Sequence, residues 1–125
     1  MFKRIKAGKE FESVYKEGKT VLSEDGKIKA KYIIASARGN FEIRYGITVS
    51  SLRGNAVWRN KFKRLIRESM KDAVKIYDNT NMWKGKRLLI ILSPKELSEK
   101  NYKKLFLNDV KPSVMNLFSE LRKKL

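Results

Sequence analysis

Apolar residues between positions 55 and 77 recur every three or four residues, the spacing that places them on one face of an α-helix. Asn55 follows Gly54 and is a favoured N-cap residue, so we predict that a long helix begins there and ends near Tyr77. Because the intervening positions are polar, this helix has one buried and one exposed face. The face predicted to be buried contains Trp58, Phe62, Leu65, Ile66, Ser69, Met70, Ala73 and Tyr77.

A shorter helix and two strands are predicted before the long helix. Residues 9–17 place their apolar side chains on one helical face, and Gly18 suits the end of that helix. Residues 28–36 are rich in β-forming residues and alternate in polarity, which predicts a strand. A second strand is predicted over residues 41–50.

A buried strand and further helices are predicted after the long helix. The segment from Lys86 to Leu92 ends in a continuous apolar run, which is typical of a strand covered on both faces. Residues 95–108 are predicted to be helical, followed by a second helical piece with Pro112 at a start position. The order of elements indicates one α/β or α+β domain over residues 1–125. The side chains predicted to face inward near the C-terminus are Val114, Leu117, Phe118 and Leu121.

The charge balance indicates a polyanionic partner. The chain has 30 Lys and Arg against 13 Asp and Glu, a formal net charge of +17, and an excess of this size repels itself unless a partner neutralises it. Nucleic acid is the first candidate and an anionic membrane surface the second. The absence of Cys and His excludes disulfides, thiolate or imidazole metal sites and a His general base. No apolar run is long enough for a signal peptide or a membrane span, so a cytoplasmic protein is expected.

Cationic residues are concentrated in the first half of the long helix. No acid occurs between Val57 and Arg67, whereas a merely solvated helix face mixes charges of both signs. We therefore predict that this face contacts a nucleic acid, an RNA if the family resemblance described next is included. The cations would contact phosphates, and Asn60 would contact a base edge, a 2′-hydroxyl or a metal-bound water. Arg59, at the border of the apolar face, is also a candidate to brace the helix against the sheet. The predicted RNA-binding residues are Arg59, Asn60, Lys61, Lys63, Arg64 and Arg67.

The same residues carry a resemblance to a known family. Gly54-Asn55-Ala56-Val57 followed by Arg59-Asn60-Lys61-Phe62-Lys63-Arg64 resembles the signature of the bacterial ribonuclease P protein subunit. Phe11 with Tyr15 and Gly18 is similar to the first helix of that family, and residues 45–50 are similar to the strand before its signature. The chain departs from the pattern at Lys61, where the family has Arg, and at Ser51 and Leu52, where it usually has lysines. The turn over residues 19–27 and the tail are longer than usual.

The resemblance implies an α/β (α+β) two-layer sandwich with a small, mostly four-stranded sheet in the order α-β-β-β-α-β-α and a left-handed strand–helix–strand crossover. It implies a protein that binds the catalytic RNA subunit of ribonuclease P and the 5′ leader of precursor tRNA. In that family the RNA subunit, with Mg²⁺, removes the leader, so no catalytic or metal-binding residue is expected in this chain. The resemblance also implies a leader-binding cleft between the first helix and the sheet, with Phe11, Tyr15 and Tyr32 as candidate residues.

Two other functions remain open from the sequence. A structural RNA-binding protein of the ribosomal type would carry the same charge, but it would not need aromatic residues in a cleft. A cationic membrane-surface module would need an apolar face for lipid, and the long helix needs its apolar face for the core.

Overall fold

The computed structural model describes residues 2–6, 8–77 and 83–124. These residues form five strands, three α-helices and a short 3₁₀ turn that continues the second helix. In chain order they are β1 (Phe2–Arg4), α1 (Gly8–Glu17), β2 (Lys19–Leu22), β3 (Ile28–Ser36), β4 (Glu42–Ile47), α2 (Ala56–Ala73), the 3₁₀ turn (Val74–Tyr77), β5 (Lys86–Pro94) and α3 (Leu107–Lys124).

The five strands form one mixed sheet in the order β1-β4-β5-β3-β2. β5 lies at the centre, parallel to β4 and antiparallel to β3, with Ile90 paired to both Tyr45 and Tyr32. β1 runs parallel to β4, and β2 runs antiparallel to β3. The central position of β5 explains its apolar run, because both of its faces are covered by other elements.

The two faces of the sheet are packed differently. Alternate residues of β3, β4 and β5, such as Tyr32, Tyr45 and Ile90, face α2 and α3 and belong to the main core. We call this side the α2/α3 face. The residues between them, such as Leu89 and Ile91, face α1 on the other side, which we call the α1 face.

The predicted α+β class is confirmed, with two differences in detail. The sheet has five strands because β1 joins it at the edge beside β4, a strand that neither the residue pattern nor the implied order predicts. β2, at the opposite edge, is one of the three strands that the implied order places between the first two helices, although the residue pattern does not locate it. Helices lie on both faces, so the sheet is the middle layer of three. Phe2 in β1 stacks on Tyr45 with ring centroids 4.6 Å apart, which helps to hold this edge strand. The left-handed crossover stays a prediction.

The prediction of a helix over residues 95–108 is wrong. Its backbone groups bond to other parts of the chain instead: the N–H groups of Lys95 and Glu96 donate to Lys27 O, and Glu99 N–H donates to Arg53 O at 2.7 Å. α3 begins only at Leu107, and the side chain of Asp109 accepts from Phe106 N–H at 2.8 Å, as in half of a capping box.

Pro112 does not occupy a start position, which corrects the second prediction for this region. It lies inside α3, where its missing N–H leaves one helical bond unmade. The helix tolerates this loss because its inner side is packed in the core. Val114, Leu117, Phe118 and Leu121 are all fully buried, as predicted.

The long turn and the long tail of the sequence contact each other. Ser113 Oγ of α3 donates to Asp25 Oδ2 at 2.5 Å, and Glu24 N–H donates to Asn116 Oδ1 at 2.8 Å. Burial disfavours the Asp25 carboxylate, but hydrogen bonds from Ser113, Ser23 and the Lys27 N–H hold its pKa below the ordinary value. These hydrogen bonds therefore join the turn over residues 19–27 to the C-terminal tail, the two segments that the resemblance marks as longer than usual.

Candidate nucleic-acid interface

The start of α2 is fixed by three kinds of contact. Asn55 caps the helix, since its side chain accepts from Trp58 N–H at 2.9 Å, and its own N–H and Nδ2 donate to Glu99 at 3.0 Å each. Trp58 Nε1 donates to Tyr102 O at 2.8 Å. At Gly54 an added Cβ would lie 2.9 Å from the Trp58 ring, so only glycine fits this close approach. The helix therefore projects its side chains from a rigid base.

The apolar side of α2 determines which residues face solvent. As predicted, its buried residues include Trp58, Phe62, Leu65, Ile66, Ser69, Met70 and Ala73, and Tyr77 is buried in the 3₁₀ turn. Tyr77 donates its hydroxyl to Phe118 O at 2.8 Å, and burial raises the pKa of this phenol. With this side anchored to the sheet and α3, the polar arc of the helix points outward.

The cations of α2 are mostly free of acidic partners. Among the described residues, Lys61, Lys63 and Arg67 form no ion pair, and Arg64 makes only an exposed contact of 3.5 Å with Glu68. Such a contact contributes little in solvent, so it leaves Arg64 available to a stronger partner. Asn60 is exposed on the same arc.

Arg59 braces the start of α2, but the prediction that it does so against the sheet is wrong. Its Nε donates to Gly54 O at 3.2 Å, so it holds the turn before the helix. The contact is with the helix's own approach loop and not with the sheet. Arg59 is nevertheless half-buried and not fully enclosed, so its position is compatible with RNA contact as well.

A pocket of about 190 Å³ lies between α2 and α1 at the C-terminal end of β4. Lys63 and Arg67 line it from α2, Phe11 lines it from α1, and Arg4 lines it from β1. An added Cβ at Gly46 would lie 2.6 Å from the Phe11 ring, so this glycine lets the ring lie directly on the strand. The pocket makes the cationic surface of α2 continuous with the α1 side of the sheet.

A cleft of about 290 Å³ lies between α1 and the sheet. Tyr15 is 45% exposed there, and its hydroxyl lies 3.2 Å from Thr48 Oγ1. Lys31 Nζ donates to Tyr15 O at 3.2 Å and lies 5.6 Å from the centre of the Tyr15 ring. An exposed aromatic ring beside ammonium groups is the arrangement that binds single-stranded nucleic acid. The cleft is also lined by Lys29, Ser50, Arg53, Ile91, Ser93 and Pro94.

Three aromatic residues are predicted to line this cleft, and for Tyr32 the prediction is wrong. It is 4% exposed and packs in the main core on the α2/α3 face, whereas Phe11 and Tyr15 lie on the α1 face. Side chains alternate along a strand, so its neighbour Lys31 enters the cleft instead. The alternation of residues 28–36 was visible in the sequence, but which set faces α1 was not.

An ion-pair network holds α1 against the sheet. Arg44 of β4 bonds both to Glu10 of α1, at 2.6 Å, and to Glu42. Arg87 of β5 lies 3.6 Å from the same Glu42 carboxylate. The hydrogen bond from Arg44 holds the pKa of Glu42 below its ordinary value. This network helps to hold α1, one wall of the cleft, and sequence patterning did not predict it because Glu10 and Arg87 lie far along the chain from Glu42 and Arg44.

The described site is built from cationic and aromatic side chains. Within residues 2–6, 8–77 and 83–124, no group of three or more His, Cys, Asp or Glu side chains is placed to hold a metal ion. None of the described helices is both long and apolar enough to cross a membrane. The arrangement can bind phosphates along α2 and stack bases in the cleft.

Comparison with known proteins agrees with this geometry. A family model described as Ribonuclease P matches residues 1–114. The chain belongs to the Ribonuclease P family. The ribonuclease P protein component of Clostridium botulinum is 32% identical to it over 122 residues, which cover 94% of this chain and 92% of that protein.

Two further relatives are similar to this chain, one over part of its sequence and one in its fold. The protein component of Staphylococcus haemolyticus is 43% identical over 68 residues, a match that spans only about half of either protein, 54% of this chain and 55% of the relative. The solved structure of the RNase P protein from Thermotoga maritima superposes with a TM-score of 0.63 at 23% identity, covering 94% of this chain and 96% of that one. At this identity the structural likeness concerns the fold alone.

Proposed function

We propose that this chain is the protein subunit of ribonuclease P, which binds the catalytic RNA and the 5′ leader of precursor tRNA and assists removal of the leader. The observation that carries the proposal is that the cations of α2, largely without acidic partners among the described residues, reach a pocket shared with Phe11 of α1, while Tyr15 of the same helix lines the aromatic cleft. Neither surface alone distinguishes this function from general RNA binding. Because α1 contributes to both cavities, the two surfaces are neighbours and could hold a structured RNA and a single strand together.

The two surfaces have different roles in this proposal. Lys63, Arg64 and Arg67 neutralise phosphates of the RNA subunit and set its register, while Asn60 donates to and accepts from a base edge or a 2′-hydroxyl. In the cleft, Tyr15 stacks on a leader base, with Lys29 and Lys31 near the backbone phosphates. Phe11 is half-buried and supports the wall that carries Tyr15, with ring centroids 5.7 Å apart.

The chemistry belongs to the RNA partner in this proposal. Phosphodiester hydrolysis needs converging metal ligands or a general base tuned near neutrality, and the chain has no His and no carboxylate cluster among its described residues. The described residues offer no cluster of ligands that fits a Mg²⁺ site, so in this proposal Mg²⁺ is assigned to the RNA subunit. A ribonucleoprotein of this kind would work in the cytoplasm.

Reconstitution tests the whole proposal. The purified chain is expected to cut nothing alone, and to restore cleavage of precursor tRNA by a bacterial ribonuclease P RNA subunit at low Mg²⁺ and moderate salt. If it stimulates none of several such RNA subunits, the proposal is wrong. A structural RNA-binding protein of the ribosomal type is the alternative, and it predicts RNA binding with no change in cleavage.

The role of α2 is tested by the salt dependence of binding. Each cation that neutralises a phosphate contributes about one unit to the slope of log affinity against log salt, so Lys63→Ala with Arg67→Ala is expected to reduce the slope by nearly two units. The matched control is Lys75→Ala with Lys123→Ala, which removes the same charge from exposed lysines paired to Asp72 and Glu120. If the two double variants have equal slopes, Lys63 and Arg67 do not contact the RNA and the proposed role of α2 is wrong.

A further inference from the structure

Phe106 is an aromatic ring left on the surface beside the signature helix. It is 61% exposed, although the adjacent Leu105 is buried. Lys61 Nζ lies 5.6 Å from the ring centre, so the ring adjoins α2 on the flank opposite the Lys63–Arg67 pocket. Val57, one turn before Lys61, is 78% exposed and extends the apolar surface along the helix. We call Val57, Lys61 and Phe106 the Phe106 platform.

The backbone that carries Phe106 is held on both sides. Phe106 N–H donates to Asp109 Oδ2 at 2.8 Å, which fixes the residue at the start of α3. The preceding segment is tied to α2 by the bond from Trp58 Nε1 to Tyr102 O, and Leu105 packs into the core between these two points. Because this backbone is already ordered, a base that stacks on the ring does not have to order it.

The charge around the platform favours a polyanion over a protein partner. Lys103 and Lys104 are exposed immediately before the buried Leu105. Within the part of the chain that the structure describes, neither these lysines nor Lys61 form an ion pair. The nearby carboxylates are already bonded, Asp109 to Phe106 N–H and Glu99 to Asn55.

We propose that the Phe106 platform is a second RNA-binding site, in which an unpaired base stacks on Phe106 while Lys61, Lys103 and Lys104 neutralise the flanking phosphates. This rests on the proposed function, because it extends the RNA surface of α2 to the flank away from the cleft. It also gives a role to Lys61, which lacks the fork of the arginine expected at its position: its ammonium joins the ring to the phosphates. Cations and an exposed ring together are what base stacking requires.

Binding of a bacterial ribonuclease P RNA subunit tests the platform. Phe106→Ala is expected to weaken affinity about 5- to 150-fold, the range for loss of one stacked base, without changing the salt slope. Phe106→Tyr keeps the ring and is expected to bind as the unmodified protein does. Lys61→Ala is expected to reduce the slope by nearly one unit. Leader affinity is expected to stay unchanged in all three variants.

Two further variants separate base stacking from a general loss of apolar surface. Leu22→Ala removes a different exposed apolar side chain, on β2, and is the control for loss of surface area. Phe106→Leu keeps an apolar side chain but has no ring, so it is expected to weaken binding as Phe106→Ala does. If Phe106→Ala binds as Leu22→Ala does, or if Phe106→Leu binds normally, the inference is wrong. Thermal unfolding of each variant shows that it is folded.

A short oligouridine distinguishes failure of this inference from failure of the proposed function. Should the protein bind no RNA subunit, the proposed function fails, and oligouridine affinity in Phe106→Ala and Phe106→Leu still decides whether the ring stacks on bases. Should reconstitution succeed while both ring-deletion variants bind normally, the proposed function stands and the Phe106 platform is rejected.

Discussion

The two faces of the sheet are stabilised in different ways. On the α2/α3 face, fully buried side chains such as Phe62, Ile66 and Phe118 form a continuous apolar core. On the α1 face, the described buried cluster has four residues, Ile5, Val14, Leu89 and Ile91, with Phe11 and Ile33 packed against it, and the ion pair of Arg44 with Glu10 adds to the attachment of α1. One helix cannot cover a five-stranded sheet, so the α1 face retains an open cleft.

This difference separates stability from binding. The filled face provides the rigid support that a small domain needs, and it leaves the polar arc of α2 free on the outside. The half-covered face leaves Tyr15, Lys29 and Lys31 accessible beside a helix whose position depends on charged groups. Substitutions on the two faces are therefore expected to change different measurements.

Phe62→Ala tests the α2/α3 face and has the largest expected effect. Its side chain is fully buried, so truncation is expected to lower the free energy of unfolding by about 3–5 kcal/mol in urea titrations. Phe11→Ala is the counterpart on the α1 face. Because Phe11 is half-buried, its loss is expected to be less than about half as large. Equal losses would mean that the two faces contribute alike.

Tyr15→Ala tests the α1 face. It is expected to weaken leader binding by about 1–3 kcal/mol, which is the contribution of one stacked base, and to change unfolding by less than about 0.5 kcal/mol. Tyr15→Phe loses only the contact with Thr48 and is expected to keep most of the affinity. The measurement compares precursor tRNA with leaderless tRNA in the reconstituted complex. A loss of affinity that is the same for both RNAs would contradict a leader contact.

Glu10→Gln tests the charged attachment of α1. Loss of its ion pair with Arg44 is expected to cost about 0.5–1 kcal/mol and to speed hydrogen exchange of α1 amides while α2 amides stay protected. Lys123→Ala, which breaks an exposed ion pair on α3, is the control and is expected to leave α1 exchange unchanged. Unchanged α1 exchange in Glu10→Gln would assign the attachment to the apolar cluster alone.

The smallest of these expected effects is the loss of stability on the α1 face when the pH is lowered. Because the pKa of Glu42 is lower in the folded protein than its ordinary value of 4.5, this carboxylate stabilises the fold above about pH 4.5 and loses that contribution as the pH falls through its folded-state pKa. The stability difference between the unmodified protein and Glu42→Gln is therefore expected to shrink below pH 4.5. Urea titrations over a pH series measure it, and a difference that is constant with pH would exclude this role.

The sequence predicted best those features that depend only on residues close together in the chain. The N-cap at Asn55, the buried side of α2 and its acid-free cationic arc all follow from residue type and helical spacing over a few turns, and the structure agrees with each. The β3 strand was likewise predicted at its full length from Ile28 to Ser36. These features need no information from the rest of the chain.

The remaining features depend on pairing between distant segments. β1 is too short to be recognised without its partner β4, and the 95–106 segment is non-helical because its N–H groups find acceptors at Lys27 and Arg53. Alternation along β3 determined two sets of side chains, but only packing against α1 assigned Lys31 to the cleft and Tyr32 to the core. The sequence by itself determined the α2 helix and its charged arc, because helical periodicity is a property of neighbouring residues. Only the tertiary structure decided the shape of the cleft, because a cleft is formed by residues that the chain brings together from far apart.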